Sequence, residues 1–169
     1  MAAVKRLDPR GVPDTPTYPE VGATAGEPPA GYRVVEVSRR LPTGVDFSAA
    51  VEDLMRWRVH ERAGFRVAAS TESAVAGSVV VLRLGLVLRI PCQVIYVVDE
   101  PDRRGFAYGT LPGNPVSGEE VFLLHRGADG RVTFRITAFS RPASVLSRAS
   151  GAVGHGFQDF MTRRYLKGV

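Results

Sequence analysis

The chain has one cysteine and three histidines in 169 residues, and these two scarcities remove whole classes of function. A lone Cys92 cannot close an internal disulfide and fits a reducing compartment. His60, His125 and His155 stand too far apart to give a zinc-type ligand spacing, so no metal and no cofactor are expected. Nor is there an apolar run of the ~20 residues that a membrane helix needs. Val79 to Val98 comes nearest, and Arg83, Arg89, Pro91 and Gln93 interrupt it. The opening residues, MAAVKRLDPRG, turn charged at once and lack the apolar centre of a signal peptide, which makes a cytoplasmic location the expectation. The glycines of GAVGHG (Gly151–Gly156) have no strand before them and lie inside a helical pattern, so they do not read as a phosphate loop.

What is present is ordinary globular material. The 44% hydrophobic content is enough to build one substantial core in a single domain. The net charge of +5 is unevenly placed, with Arg141, Arg148, Arg163, Arg164 and Lys167 opposed only by Asp159 near the C-terminus. Without a binding motif this reads as a solvated helix face, and no nucleic-acid partner is expected.

Residues 1–31 hold Pro9, Pro13, Pro16, Pro19, Pro28 and Pro29 and no periodic pattern. They read as an extended arm packing on the domain through Tyr18 and Val21, and residues 32–169 read as that domain. Tyr32–Arg39 is a first strand, broken by Leu41-Pro42-Thr43-Gly44. Asp46 then caps a single helix to Ala63, with Phe47, Val51, Leu54, Met55 and Val59 on one face and Gly64 at its end. From Phe65 the period becomes that of strands: Phe65–Ala69, Ser78–Leu88, Cys92–Asp99, Phe106–Leu111, Glu119–His125 and Val132–Phe139. Short connections, Asp129-Gly130 among them, make the meander antiparallel. Pro91 falls between two of these strands and marks a bend or edge. Leu146, Ala149, Val153, Phe157, Phe160, Met161 and Tyr165 or Leu166 form a last helical stripe of about 25 residues, with a kink expected at Gly151, Gly154 and Gly156.

The fold class is therefore α+β, in the order β-α-β6-α, with a curved antiparallel sheet of about seven strands wrapped on a long C-terminal helix. This is the order of the helix-grip fold, seen in the Bet v 1 and START-like (SRPBCC) superfamily, whose sheet and helix can enclose an apolar cavity. At residue level, TYPEVGAT (Thr17–Thr24), WRVHERAG (Trp57–Gly64), GFAYGTLPGNPVSGEE (Gly105–Glu120) and AFSRP (Ala138–Pro142), with Gln158 and Tyr165, carry a closer likeness. Through them the chain resembles the uncharacterised family DUF1990, also called UPF0548. Its members are bacterial and plant proteins without an established activity, so the resemblance implies a fold and no reaction. The family pattern has His at the position of Asn114.

The leading reading is a binding protein for an apolar or amphipathic small molecule, held between sheet and C-terminal helix. Trp57, Phe106, Tyr108 and Arg135 are the candidate ligand contacts before the last helix begins. Arg141, Gly154, Phe157 and Gln158 complete the set. An enzyme of cyclase or hydratase type is the alternative, with Glu119, Glu120, Tyr108 and His60 as the candidate catalytic groups. Glu119 and Glu120 are neighbours on a strand and so point to opposite faces. One of them faces inward, either toward a ligand or into a salt bridge with Arg135 or Arg141. A protein-interaction module with a collapsed cavity is the third reading. The oligomeric state is not legible.

Overall fold

Alternation of apolar residues along each strand builds one sheet, and helices cover its inner face. The structure, a computed structural model, describes residues 5–6, 8, 11–143 and 152–169, with side chains at 8, 11–143 and 159–169. In chain order the elements are β1 (Lys5–Arg6), a 3-10 turn (Ala23–Ala25), β2 (Arg33–Arg40), α1 (Phe47–Met55), α2 (Arg58–Arg62), β3 (Arg66–Ala69), β4 (Val79–Leu84), β5 (Leu88–Asp99), β6 (Arg103–Thr110), β7 (Val116–Arg126), β8 (Val132–Pro142) and α3 (Ala152–Lys167). The sheet order is β1-β3-β4-β5-β6-β7-β8-β2. Its seven long strands are antiparallel, and the two-residue β1 adds a parallel edge against β3. A bulge in β5 between Val94 and Tyr96 adds local twist. No helix of the described residues is long and apolar enough to cross a membrane.

The inner face carries Phe106, Tyr108, Phe122, Leu124, Phe134 and Ile136, packed against Leu54, Trp57, His60 and Tyr165 of the helices. Each fully buried ring contributes roughly 1.5–3 kcal/mol relative to exposure. Phe122 anchors the cluster, with Tyr108, His60 and Tyr165 edge-on to it at centroid distances of 5.1, 5.2 and 5.1 Å.

Two local expectations are corrected here. The single helix from Asp46 to Ala63 is two helices. Asp46 does cap the first, accepting from Ser48 N and Ala49 N, and Gly64 follows the second with φ +92°. Between them Trp57 takes a left-handed φ of 66°, a conformation that costs a non-glycine residue about 1–3 kcal/mol. The break turns Trp57, which lies off the apolar stripe of a continuous helix, into the core, where its ring stands edge-on to Phe106 at 5.1 Å. Burial of the largest side chain outweighs the backbone strain.

Pro91 is inside β5, opposite Val81, rather than between two strands. Its carbonyl faces the β6 side and accepts from Leu111 N at 3.0 Å, beyond the last β5–β6 ladder pair at Cys92 and Thr110. A residue's N and O share a side of the strand, so the missing N–H falls where the ladder has ended. In the last helix, α3 covers Gly154 and Gly156 without a break. Leu146, Ala149 and Gly151 of the expected stripe lie outside the described residues.

The outer face is covered by residues 17–24. Tyr18 is buried, edge-on to Phe139 at 5.6 Å, and lies over Gly109, where a Cβ would collide with its hydroxyl. Val21 is half exposed rather than buried. Glu119 gathers this segment. Its Oε2 accepts from Tyr18 Oη at 2.6 Å and Gly22 N at 2.7 Å, and its Oε1 from Thr24 N at 3.0 Å and from Thr24 Oγ1. Thr17 continues the seam, its N donating to Thr110 O at 3.0 Å and its carbonyl accepting from Ser117 Oγ at 2.9 Å. Tyr18→Phe removes one donor from a buried carboxylate, so urea denaturation should show a loss of about 1–3 kcal/mol. An unchanged midpoint would mean that this carboxylate does not hold the segment down.

Candidate functional site

The inner face is filled by its own side chains over most of its area. At one end the filling stops. There the start of β5, the end of β6, the start of β7 and the end of β8 meet α3 around a cavity of about 50 Å³. Ile90, Cys92, Val116, Ala138 and Met161 give it apolar walls, and Tyr108, Asn114 and Glu120 supply polar groups. Gly118 lines it too, and a Cβ there would collide with the Phe139 carbonyl of β8, so only glycine fits this close approach of the two strands.

Glu120 is the inward member of the glutamate pair. It stands opposite Tyr108 across β6 and β7, and the Tyr108 hydroxyl donates to its Oε2 at 3.1 Å. Tyr108 Oη also meets Tyr165 Oη of α3 at 2.9 Å, so Tyr165, Tyr108 and Glu120 form one hydrogen-bonded run. Burial among apolar neighbours pushes the Glu120 carboxyl up to about 7, although its bond from Tyr108 favours the charged form. Burial likewise raises both tyrosine hydroxyls, which stay protonated. The Cys92 thiol is pushed up by burial first and by Glu120 second, so it is a neutral wall rather than a nucleophile. Asn114 donates from Nδ2 to Pro91 O at 3.2 Å and to Cys92 Sγ at 3.6 Å, while its Oδ1 accepts from Val116 N at 3.1 Å. It holds the β6–β7 turn against the start of β5.

The structure brings the Tyr108 and Glu120 polar groups together at the cavity. Glu119 also borders the cavity, but its carboxylate is taken up on the outer face by residues 18–24. Neither glutamate pairs with the expected arginines. Arg135 makes an exposed ion pair with Glu36 at 2.6 Å, and Arg141 lies over the Tyr32 ring at 4.6 Å. Trp57 and Phe106 are core residues deeper in the sheet. Gly154, Phe157 and Gln158 fall in α3, where their surroundings lie outside the described side chains. In the sequence Tyr165 stands in the helical stripe and among the residues of the family likeness, without a role at a site. The signal for more was its hydroxyl, because a tyrosine on a buried stripe needs a polar partner. Asn114, Cys92 and Met161 carry no such mark, since their meeting depends on how three separate elements converge.

His60 is fully buried among Trp57, Phe106, Tyr108, Phe122 and Tyr165, its ring 5.0 Å from that of Tyr165. Among the described residues neither ring nitrogen meets a hydrogen-bond partner. Burial alone pushes its pKa down from 6.5 to about 3. The folded state therefore favours neutral His60, and this stability is lost as pH falls from 6.5 toward 3. Glu120 has the opposite sign. Its raised pKa contributes stability present below 4.5 and lost as pH rises through about 7. Between about 4.5 and 6.5 the two contributions oppose each other. In that window His60→Phe should leave a stability that falls with rising pH, and Glu120→Gln one that rises. Urea melts across pH check this, and identical slopes in the two variants would refute it.

Solved structures share the architecture at very low identity. A hypothetical protein from Helicobacter pylori matches with a TM-score of 0.59 at 9% identity, over 79% of this chain and 86% of that one. A protein from Mesorhizobium loti matches with a TM-score of 0.51 at 16% identity, over 80% and 96%. Such likeness shows the fold alone. A UPF0548 protein of Deinococcus radiodurans is 48% identical over 83 residues, which are 49% of this chain and 42% of that protein. A UPF0548 protein of Arabidopsis thaliana is 39% identical over 64 residues, 34% of this chain and 31% of that protein. The matched stretches thus span less than half the length of either relative. The model of one family, described as a domain of unknown function (DUF1990), matches residues 17–168, and the chain belongs to that family.

Proposed function

We propose that the protein binds a small amphipathic molecule in the cavity between the sheet and α3. The apolar body of the ligand lies against Ile90, Ala138 and Met161, and its polar head meets Glu120 and Tyr108. The observation that carries this reading is the Glu120 carboxyl, which faces a largely apolar cavity with no cation beside it among the described residues and a pKa of about 7. Such a group donates to a hydroxyl or carbonyl when protonated and accepts from an amine when ionised. A volume of about 50 Å³ suits a compact molecule or the polar end of a longer one. The single buried Cys92 agrees with a cytoplasmic setting.

Native mass spectrometry of protein purified from its own host tests this. A discrete bound mass is expected. Ala138→Leu fills the cavity and should remove that mass while the circular dichroism stays unchanged. Glu120→Gln should weaken binding roughly tenfold or more, as loss of a hydrogen bond to a charged group does. A bare mass in the wild type, with no small molecule released on extraction, would sink the reading.

A second reading is proton-transfer catalysis of cyclase or hydratase type. It is favoured by the run of hydroxyls at 2.9 and 3.1 Å that leads from Tyr165 through Tyr108 to Glu120. Glu120 near neutrality is suited to take and return a proton, and Tyr108 holds its carboxyl in place. On this reading Glu120→Gln keeps the bound mass and lowers turnover of the extracted molecule about 10²–10⁴-fold.

A further inference from the structure

The β4–β5 hairpin ends in Leu86 and Val87, each 95% exposed, while the other exposed large apolar side chains among the described residues are at 50% or below. Gly85, with φ +62°, makes the turn, and Leu84 and Leu88 behind it pack on the core. Turn residues are ordinarily polar, so two bare aliphatic groups at a protruding tip call for a partner.

The strands behind the tip carry a second unmet demand. Arg83 stands directly opposite Arg89 across β4 and β5, and directly opposite Arg66 across β3 and β4. Residues so paired share a face, so the three exposed guanidinium groups form a row across the sheet. Like charges placed opposite each other weaken a sheet. Elsewhere Arg33, Arg58, Arg103, Arg126 and Arg135 each meet a carboxylate within 2.8 Å. Among the described residues no ion pair involves Arg66, Arg83 or Arg89.

We propose that this hairpin docks the protein on an anionic lipid bilayer, with Leu86 and Val87 entering the interface and Arg66, Arg83 and Arg89 meeting lipid phosphates. An aliphatic tip backed by cations has the two components of peripheral membrane binding, apolar insertion and attraction to a negative surface. A nucleic acid would use the arginines and leave the tip without purpose, since bases stack on aromatic rings and the tip has none. An acidic protein would need a recess to receive a protruding turn, whereas a bilayer interface accepts it without one. The hairpin projects from the end of the sheet at which Ile90, Asn114 and Val116 enclose the cavity. Docking does not depend on the cavity being occupied, so it can fail or succeed separately from ligand binding.

Sedimentation of the full chain with vesicles tests the inference. Vesicles of phosphatidylcholine and phosphatidylserine should carry the protein down, phosphatidylcholine alone far less, and added salt should release it. Leu86→Ser combined with Val87→Ser should lower the bound fraction at least tenfold. Arg66→Ala, Arg83→Ala and Arg89→Ala should each weaken partitioning about fivefold. All five positions are exposed or at a turn, so unchanged thermal melts confirm folded variants. Three results would overturn the proposal: no binding to the anionic vesicles, vesicle binding indifferent to the tip, or arginine-dependent binding to duplex DNA in place of vesicles.

Discussion

Alternation along β7 puts Glu119 on the outer face of the sheet and Glu120 on the inner face, and both faces are organised around these carboxylates. Each is disposed of in a different way. Glu119 is saturated with donors, two backbone amides and two hydroxyls, all supplied by residues 18–24. That segment therefore has a polar anchor in addition to the Tyr18 ring on Phe139. Glu120 receives one hydroxyl and faces a cavity. A saturated carboxylate fixes structure, and an under-supplied one is available for chemistry.

The inner face spends much of its area on aromatic packing. Phe106, Phe122, Phe134 and Tyr165 fill the sheet–helix space, and the cavity beside Glu120 lies where these strands end. His60 within that filling is kept neutral, and Glu120 at the cavity is shifted toward its neutral form, by the same desolvation acting on opposite charge types. Burial lowers the affinity of imidazole for a proton and raises that of a carboxyl. A low-dielectric interior with little net charge results, in which any polar head that enters meets few competing groups.

The outer surface shows a complementary division of labour. Most arginines of the described residues end on carboxylates, as in the Arg58–Asp53–Arg62 cluster at 2.8 and 2.6 Å, which holds Asp53 below the usual carboxylate range. Exposed pairs of this kind contribute little to stability, so their absence around Arg66, Arg83 and Arg89 costs the fold little. The hairpin can thus carry uncompensated charge and bare aliphatic groups without endangering the core.

By itself, the sequence determined the order of the seven antiparallel strands and the closing helix, the change from helical to strand period at Phe65, the Asp46 cap and the Gly64 stop, and the placing of Glu119 and Glu120 on opposite faces. These are local properties, set by backbone geometry and nearest neighbours. Tertiary structure alone decided which glutamate turned inward, that Trp57 broke the first helix, that Pro91 could lie within a strand, and that Arg135 and Arg141 served Glu36 and Tyr32 instead of the glutamate pair. It also decided that Tyr165 and Tyr108, 57 residues apart, would share a hydrogen bond. The reason is the same in each case. A residue's own spacing fixes the direction in which it points, whereas its burial and its partners depend on which distant surface arrives to cover it.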